Sequence, residues 1–393
     1  MYAMASPPFD RIVGLGRDPI ESARQLVHGG HRLLGLVCPN LPEELPHALG
    51  LVPFRVVVRP TPPTRSPEVL QTFCCSWVQA LLDQAMRGEL AHLDAITFSG
   101  NTCDSLQNLP DIWRRTVERP AQLHTLRLPV VNQGELALDL LRAEIRQWQG
   151  WLERLAGSAL DRSRLRASVL LFNRIRAALR QLQRMAIEGR LPYSLVQAAA
   201  ISAQTHERAE IADLLDAAVE VARPWSAGRA RDEESKARVV LAGGCLDDLR
   251  LIEWIEQHDA AVVGDDGCAL SRSFEPEADL DPQDPLEEMA RRHMRRSRCP
   301  VQSQSAVTRA AALSQKIQRG EAQGVVLLPY KGCEPHAFDN VILAETLDQL
   351  GVPHVTLEIE PHLGNWGQIT TRLEAFLEML SDDGELYGDT EVS

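Results

Sequence analysis

The chain has 393 residues, too many for one ordinary hydrophobic core, and its formal net charge of −13 excludes a protein whose main task is to grip nucleic-acid phosphates. Hydrophobic residues make up 44%, an ordinary share for a water-soluble protein, and no apolar run reaches the roughly eighteen residues of a membrane span. The start, Met1-Tyr2-Ala3-Met4-Ala5, lacks the charged and apolar parts of a signal peptide, so a cytoplasmic protein is expected, whose eight cysteines are reduced, buried or metal-bound rather than paired.

In the first region, short apolar strands at Leu33–Val37, Phe54–Val58 and Ala95–Phe98 alternate with helical stretches such as Ser76–Arg87, which is the α/β signature. Gly14-Leu15-Gly16 follows no strand and lacks the third glycine of a dinucleotide fingerprint. Glu43 and Glu44 follow Pro42, where negative charge favours a helix start; the same carboxylates are candidates to move a proton. From Glu135 to Val221 the chain reads as helical. Leu138, Leu141, Ile145, Trp148, Leu152 and Leu155 mark one apolar face, ended by Gly157; Leu165, Val169, Phe172, Ile175, Leu179, Leu182 and Met185 mark a second. Pro224–Gly228 reads as a linker. Strands then return at Arg238–Ala242, Ala260–Val263, Gly324–Leu328 and His354–Ile359, followed by a strong helix at Thr371–Leu380 and an acidic, disordered tail from Ser381. The expected class is α/β: two Rossmann-like parallel-sheet domains (1–130 and 229–393) with a helical domain between them (131–228).

Apolar strands of this kind belong to parallel sheets covered on both faces, whose chemistry lies beyond the carboxyl ends of the strands. Two such ends carry cysteines: Phe98-Ser99-Gly100-Asn101-Thr102-Cys103 and Leu328-Pro329-Tyr330-Lys331-Gly332-Cys333. With Cys75 on a third segment they read as a three-thiolate metal site assembled from distant parts of the chain. Three thiolates leave one iron of a four-iron cluster open to substrate, water or a bridging sulfide. Zinc-finger and Cys-x-x-Cys spacings are absent, as is the phosphate-cradling loop of ATPases. Cys38, Cys245 and Cys299 read as small buried hydrophobes, and Cys268 as either pocket-lining or packing. Arg272 and the Arg291–Arg298 run are candidate phosphate partners, although the run reads more simply as a solvated helix face beside the acidic Glu275–Asp284 loop.

The ordered set Cys75-Ser76-Trp77, Cys103-Asp104-Ser105-Leu106-Gln107-Asn108, Asp265-Asp266-Gly267-Cys268, Cys333-Glu334-Pro335-His336 and Thr371-Arg372-Leu373-Glu374 resembles the 2-hydroxyacyl-CoA dehydratase and benzoyl-CoA reductase family over nearly the whole chain. Pro42-Glu43-Glu44-Leu45 is similar to that family's Pro-x-Glu-Leu segment near the active site. The resemblance implies a [4Fe–4S] cluster on Cys75, Cys103 and Cys333, with Cys74 adjoining the first ligand. It implies a paralogous partner subunit, an ATP-dependent iron–sulfur activator and a CoA thioester that takes up a low-potential electron, so that an aromatic ring is reduced or a β-hydroxyl leaves. Two other readings follow from it: a homodimer reducing small molecules through a double cubane, and a cluster-bearing electron relay without its own substrate. The sequence departs from the family pattern at Glu334, where Asp is commoner, and at Gly332, where an aromatic is common.

Overall fold

The computed structural model describes residues 6–118, 121–225, 237–278, 284–296 and 298–386. It opens with α1 (Pro7–Arg17) and α2 (Pro19–His28), each started by a proline whose fixed φ suits a first helical turn. The first sheet and its helices follow as β1 (Leu33–Leu36), α3 (Glu44–Ala48), β2 (Val52–Arg55), α4 (Ser76–Met86), β3 (Ala95–Gly100), α5 (Asp104–Gln107), α6 (Leu109–Thr116) and β4 (Gln122–Arg127). All pairings are parallel, in the order β2-β1-β3-β4. β1, β2 and β3 are buried along their whole length, which is why they are mostly apolar; the buried Arg55 that ends β2 is paired with Asp247. β4 is an edge strand of sequence Gln-Leu-His-Thr-Leu-Arg with one fully buried residue, so no apolar run announced it. β2 lies earlier than expected: it pairs from Val52 to Arg55, and Val56–Val58 continue as buried chain beyond the sheet.

Four helices then cover the sheets: α7 (Glu135–Ala156), α8 (Arg162–Ile187), α9 (Tyr193–Thr205) and α10 (Arg208–Ala222). Both expected apolar faces are buried, and α7 ends at Gly157 with a left-handed φ of 74°. α1 packs on α9 so closely that a Cβ on Gly16 would lie 2.9 Å from the Ala198 carbonyl oxygen; the Gly-Leu-Gly segment therefore serves helix packing.

The last part comprises β5 (Ala237–Gly243), α11 (Arg250–Gln257), β6 (Ala260–Gly267), α12 (Ser271–Phe274), α13 (Pro285–Arg295), α14 (Ser305–Gly320), β7 (Gly324–Leu328), α15 (Glu334–Gln349), β8 (His354–Thr356) and α16 (Trp366–Leu386). Its sheet is again parallel, in the order β6-β5-β7-β8. The two sheets thus share one topology, second-first-third-fourth, and each has its switch point between its first and third strands. α16 continues to Leu386, so the first residues of the expected tail are helical. The expected linker lies mostly outside the described residues. One apolar core joins both sheets through α8 and α9, and no helix among the described residues is long and apolar enough to cross a membrane.

Candidate functional site

In an open parallel sheet the crevice for chemistry lies beyond the strand ends at the switch point. In the first sheet that place belongs to the ends of β1 and β3, and in the second to those of β5 and β7. Cys38 and Cys245 each stand two residues past their strand, β1 and β5 respectively. Cys103 and Cys333 follow β3 and β7. The two switch points share one cavity of about 120 Å³, lined by Cys38, Cys75, Cys103, Cys245, Cys268, Cys299 and Cys333. Seven of the eight cysteines therefore meet at one place. Cys74 does not line it; its thiol faces Gln71 Oε1 at 3.9 Å.

The three cysteines expected to act together share a local geometry. Cys75, Cys103 and Cys333 are the N-cap residues of α4, α5 and α15. Cys75 and Cys333 begin helices of 11 and 16 residues, and Cys103 a single turn; the first N–H groups there favour a thiolate, at Cys103 those of Ser105 and Leu106. The Ser76 N–H donates to the Lys331 carbonyl (2.9 Å), tying the Cys75 loop to the Cys333 loop across the two sheets. Gly332 makes that approach possible, with a φ of 71° and room for only a hydrogen: a Cβ there would lie 3.1 Å from the Phe73 carbonyl oxygen. His336, one turn into α15, holds the Cys333 thiol through Nδ1 at 3.2 Å, and its buried Nε2 has no partner among the described residues.

The opposite wall carries a second group of thiols. Cys245 and Cys268 face each other with their sulfurs 3.2 Å apart, and Cys299 and Cys38 complete that side. The sequence reading of Cys38, Cys245 and Cys299 as plain packing residues is corrected in this respect: they are buried or half-buried, but they face the cavity. Their position two residues past the first strand of each sheet was the signal available for Cys38 and Cys245. The thiols are not alike. The hydrogen bond from Cys245 and the nearby Arg272 and Arg55 bring the pKa of Cys268 down to about 7. The Cys333 hydrogen bond lowers that of Cys75, with help from the N–H groups of Trp77 and Val78. Burial pushes Cys103 up to about 11 and Cys38 up to about 12.

Among the described residues no three His, Cys, Asp or Glu side chains converge tightly enough for a single metal ion. A polynuclear group needs a wider ring of donors, and seven soft sulfur donors around an apolar cavity fit iron and sulfide far better than a hard cation.

Behind this wall runs a chain of buried ion pairs. Arg309 donates from Nε to Asp266 and from Nη1 to Asp339, both at 3.0 Å, and Arg272 stands 3.6 Å from Asp266. These links join β6, α12, α14 and α15, so they fix Cys268 and Cys333 relative to each other. The Asp265 carboxylate accepts from Tyr193 Oη (2.5 Å) and from the Gly267 and Ser271 N–H groups, locking the turn that presents Cys268.

Neither candidate carboxylate is among the cavity lining. Glu44 is sealed in the core against Arg176; burial alone would raise its pKa, but the charges of Arg176 and Arg292 hold it at about 2. Glu43 keeps a side chain 20% exposed and accepts from Arg208 Nη2 at 2.8 Å. The expectation of a solvated arginine face between Arg291 and Arg298 is also corrected. Arg292, Arg296 and Arg298 are buried with their guanidinium groups on main-chain carbonyls, whereas Arg291, paired with Glu287, and Arg295, on the Glu277 carbonyl, stay outside.

Residues 38–380 match the family model described as 2-hydroxyglutaryl-CoA dehydratase, D-component. The chain is 24% identical over 386 residues to the (R)-phenyllactyl-CoA dehydratase beta subunit of Clostridium sporogenes, covering 94% of this chain and 99% of that one. It is 24% identical to the beta subunit of (R)-2-hydroxyglutaryl-CoA dehydratase of Acidaminococcus fermentans over 357 residues, covering 89% of this chain and 93% of that one. A subunit of the benzoyl-CoA reductase of Thauera aromatica matches at 21% over 353 residues, covering 86% of this chain and 88% of that one.

Proposed function

Because the chain belongs to the 2-hydroxyglutaryl-CoA dehydratase D-component family, we propose that it is the iron–sulfur subunit of a complex that dehydrates or reduces a CoA thioester, works beside a paralogous subunit in the cytoplasm and is fed by an ATP-dependent activator. The observation that carries this reading is the cavity between two matched switch points, where Cys75, Cys103 and Cys333 stand at three helix N-termini. These three cysteines would hold a [4Fe–4S] cluster, which when bound supplies single electrons at low potential. The chain's own part is to hold and shelter. The three helix N-termini offset the negative charge of the thiolates, His336 orients Cys333, and the largely apolar lining keeps water away. Glu43 is the more accessible of the two neighbouring carboxylates and is the proton carrier in this reading, whereas Glu44 neutralises Arg176.

A second reading rests on the other wall. Cys38, Cys245, Cys268 and Cys299 supply enough sulfur for a second cubane in the same cavity, and a double cubane in a homodimer would use them. In a third, the subunit relays electrons without binding substrate. Anaerobic preparation with iron and sulfide counts tests all three. About four irons per chain with a paralogous partner co-purifying supports the first reading. About eight irons in a self-associating chain supports the second. A screen of CoA thioesters with a chemical reductant, run on the assembled complex, separates the first from the third. A reconstituted chain with neither iron nor sulfide would remove the proposal.

A further inference from the structure

Buried arginines crowd the cysteine cavity. Arg272 and Arg296 do not meet its thiols directly; each grips the main chain beside one. Arg296 donates from Nη1 to the Pro39 carbonyl, next to Cys38 (3.0 Å), and from Nη2 to the Arg272 carbonyl (2.9 Å). Arg272 donates from Nη1 to the Arg298 carbonyl, next to Cys299, and from Nη2 to the Gly243 carbonyl, two residues before Cys245, both at 3.1 Å. Both side chains are more than nine-tenths buried, and the Nε of each has no hydrogen-bond partner among the described residues. Arg272 shares Asp266 with Arg309 and Lys316, and the bonds of Arg296 run only to main-chain carbonyls. Arg309 also holds Asp339 and Asp265 lies near Arg272, so the charge left without an ion pair in this part of the wall is that of Arg296, in surroundings where charges act strongly at a distance.

Excess buried charge is costly unless something anionic meets it. The cavity lining supplies no carboxylate, yet it is the place where thiolates and sulfide would gather. We propose that Arg272 and Arg296 are positioning residues whose charges bear on the cavity from behind the thiol wall and raise the reduction potential of the anionic iron–sulfur group held there. Reduction adds negative charge to a group that is already anionic, so a fixed cation nearby favours the reduced form. The forks that deliver the charge, Arg296 on the Pro39 carbonyl and Arg272 on the Arg298 carbonyl, also fix the main chain beside Cys38 and Cys299. The cost of burying these arginines shows in Arg296, whose pKa falls to about 10 through desolvation, with Cys38 opposing and Arg176 adding to the fall.

This proposal rests on the cluster reading, and its test separates the two. Anaerobically reconstituted wild type and Arg296→Gln are compared for iron and sulfide content and then titrated by EPR for midpoint potential. The expected result is unchanged iron with a midpoint shifted to more negative values, and a potential near wild type for Arg296→Lys, which keeps the charge without the fork. Arg272→Gln, whose Asp266 remains paired to Arg309, is the second variant if Arg296→Gln does not fold, and it should shift in the same direction. Full iron content with an unmoved potential in the folded variants overturns the proposal while leaving the cluster reading intact. A wild-type chain that takes up no iron sinks the cluster reading and this proposal with it.

Discussion

Glu44→Gln should cost the folded chain about 3 kcal/mol at neutral pH, and that cost should disappear in acid. Glu44 is 1% exposed and faces Arg176, with Arg292 also buried nearby. Its pKa falls from an ordinary 4.5 to about 2. At about 1.4 kcal/mol for each tenfold change in proton affinity, that depression corresponds to about 3 kcal/mol of stability. The structure gives the same size by another route, since a buried ion pair broken on one side costs about 3–5 kcal/mol. The folded pKa lies below the unfolded one, so the contribution is complete above about 4.5 and is lost as pH falls toward about 2. Equilibrium urea unfolding of wild type and variant at pH 7 and at pH 3 measures both. The variant should be weaker by about 3 kcal/mol at pH 7, with the gap narrowing at pH 3. A gap below about 1 kcal/mol at pH 7, or one equally large at pH 3, would refute the assignment of Glu44 as a fixed counter-charge.

Replacing Cys75, Cys103 or Cys333 by alanine should abolish the visible absorption of the anaerobic protein, while Cys74→Ala keeps it; full iron content in all three single variants would end the cluster assignment. Cys268→Ala discriminates further, since it leaves iron content intact with one cubane and lowers it by about half with two. Iron uptake should strengthen with rising pH, because burial holds the Cys103 proton up to about 11, the hydrogen bond with Cys75 raises Cys333 as well, and both must release their protons to bind; competition with a chelator across pH 6.5 to 8.5 reads this, and a flat profile counts against thiolate ligation. Gly332→Ala should cost about 1–2 kcal/mol, since alanine resists the left-handed φ and its Cβ would press on the Phe73 carbonyl. In calorimetry or urea unfolding, wild-type stability in that variant would show the loop to be looser than its contacts imply.

Much of the frame was legible in the chain itself. Strands β1, β3, β5 and β7 are covered on both faces, so burial writes each mostly in apolar residues. The α7 and α8 faces showed equally plainly, because a helix against a core must repeat its apolar residues every third or fourth position. β4 was invisible, since an edge strand buries little and carries a polar pattern. Cys75, Cys103 and Cys333 could be picked out by their place at segment ends and by an ordered set of motifs. Cys38 and Cys245 carried only the weaker signal of standing two residues past a strand, and Cys299, between two helices, carried none. Glu44 and Arg296 posed the same difficulty: charge is read locally as exposure, and the partners that make their burial tolerable, Arg176 and the Pro39 carbonyl, lie more than a hundred residues away. The sequence therefore determined seven of the eight segments that fold into two parallel sheets. Tertiary structure alone decided that the two switch points face one another, and that facing turns eight scattered cysteines into a site where seven meet.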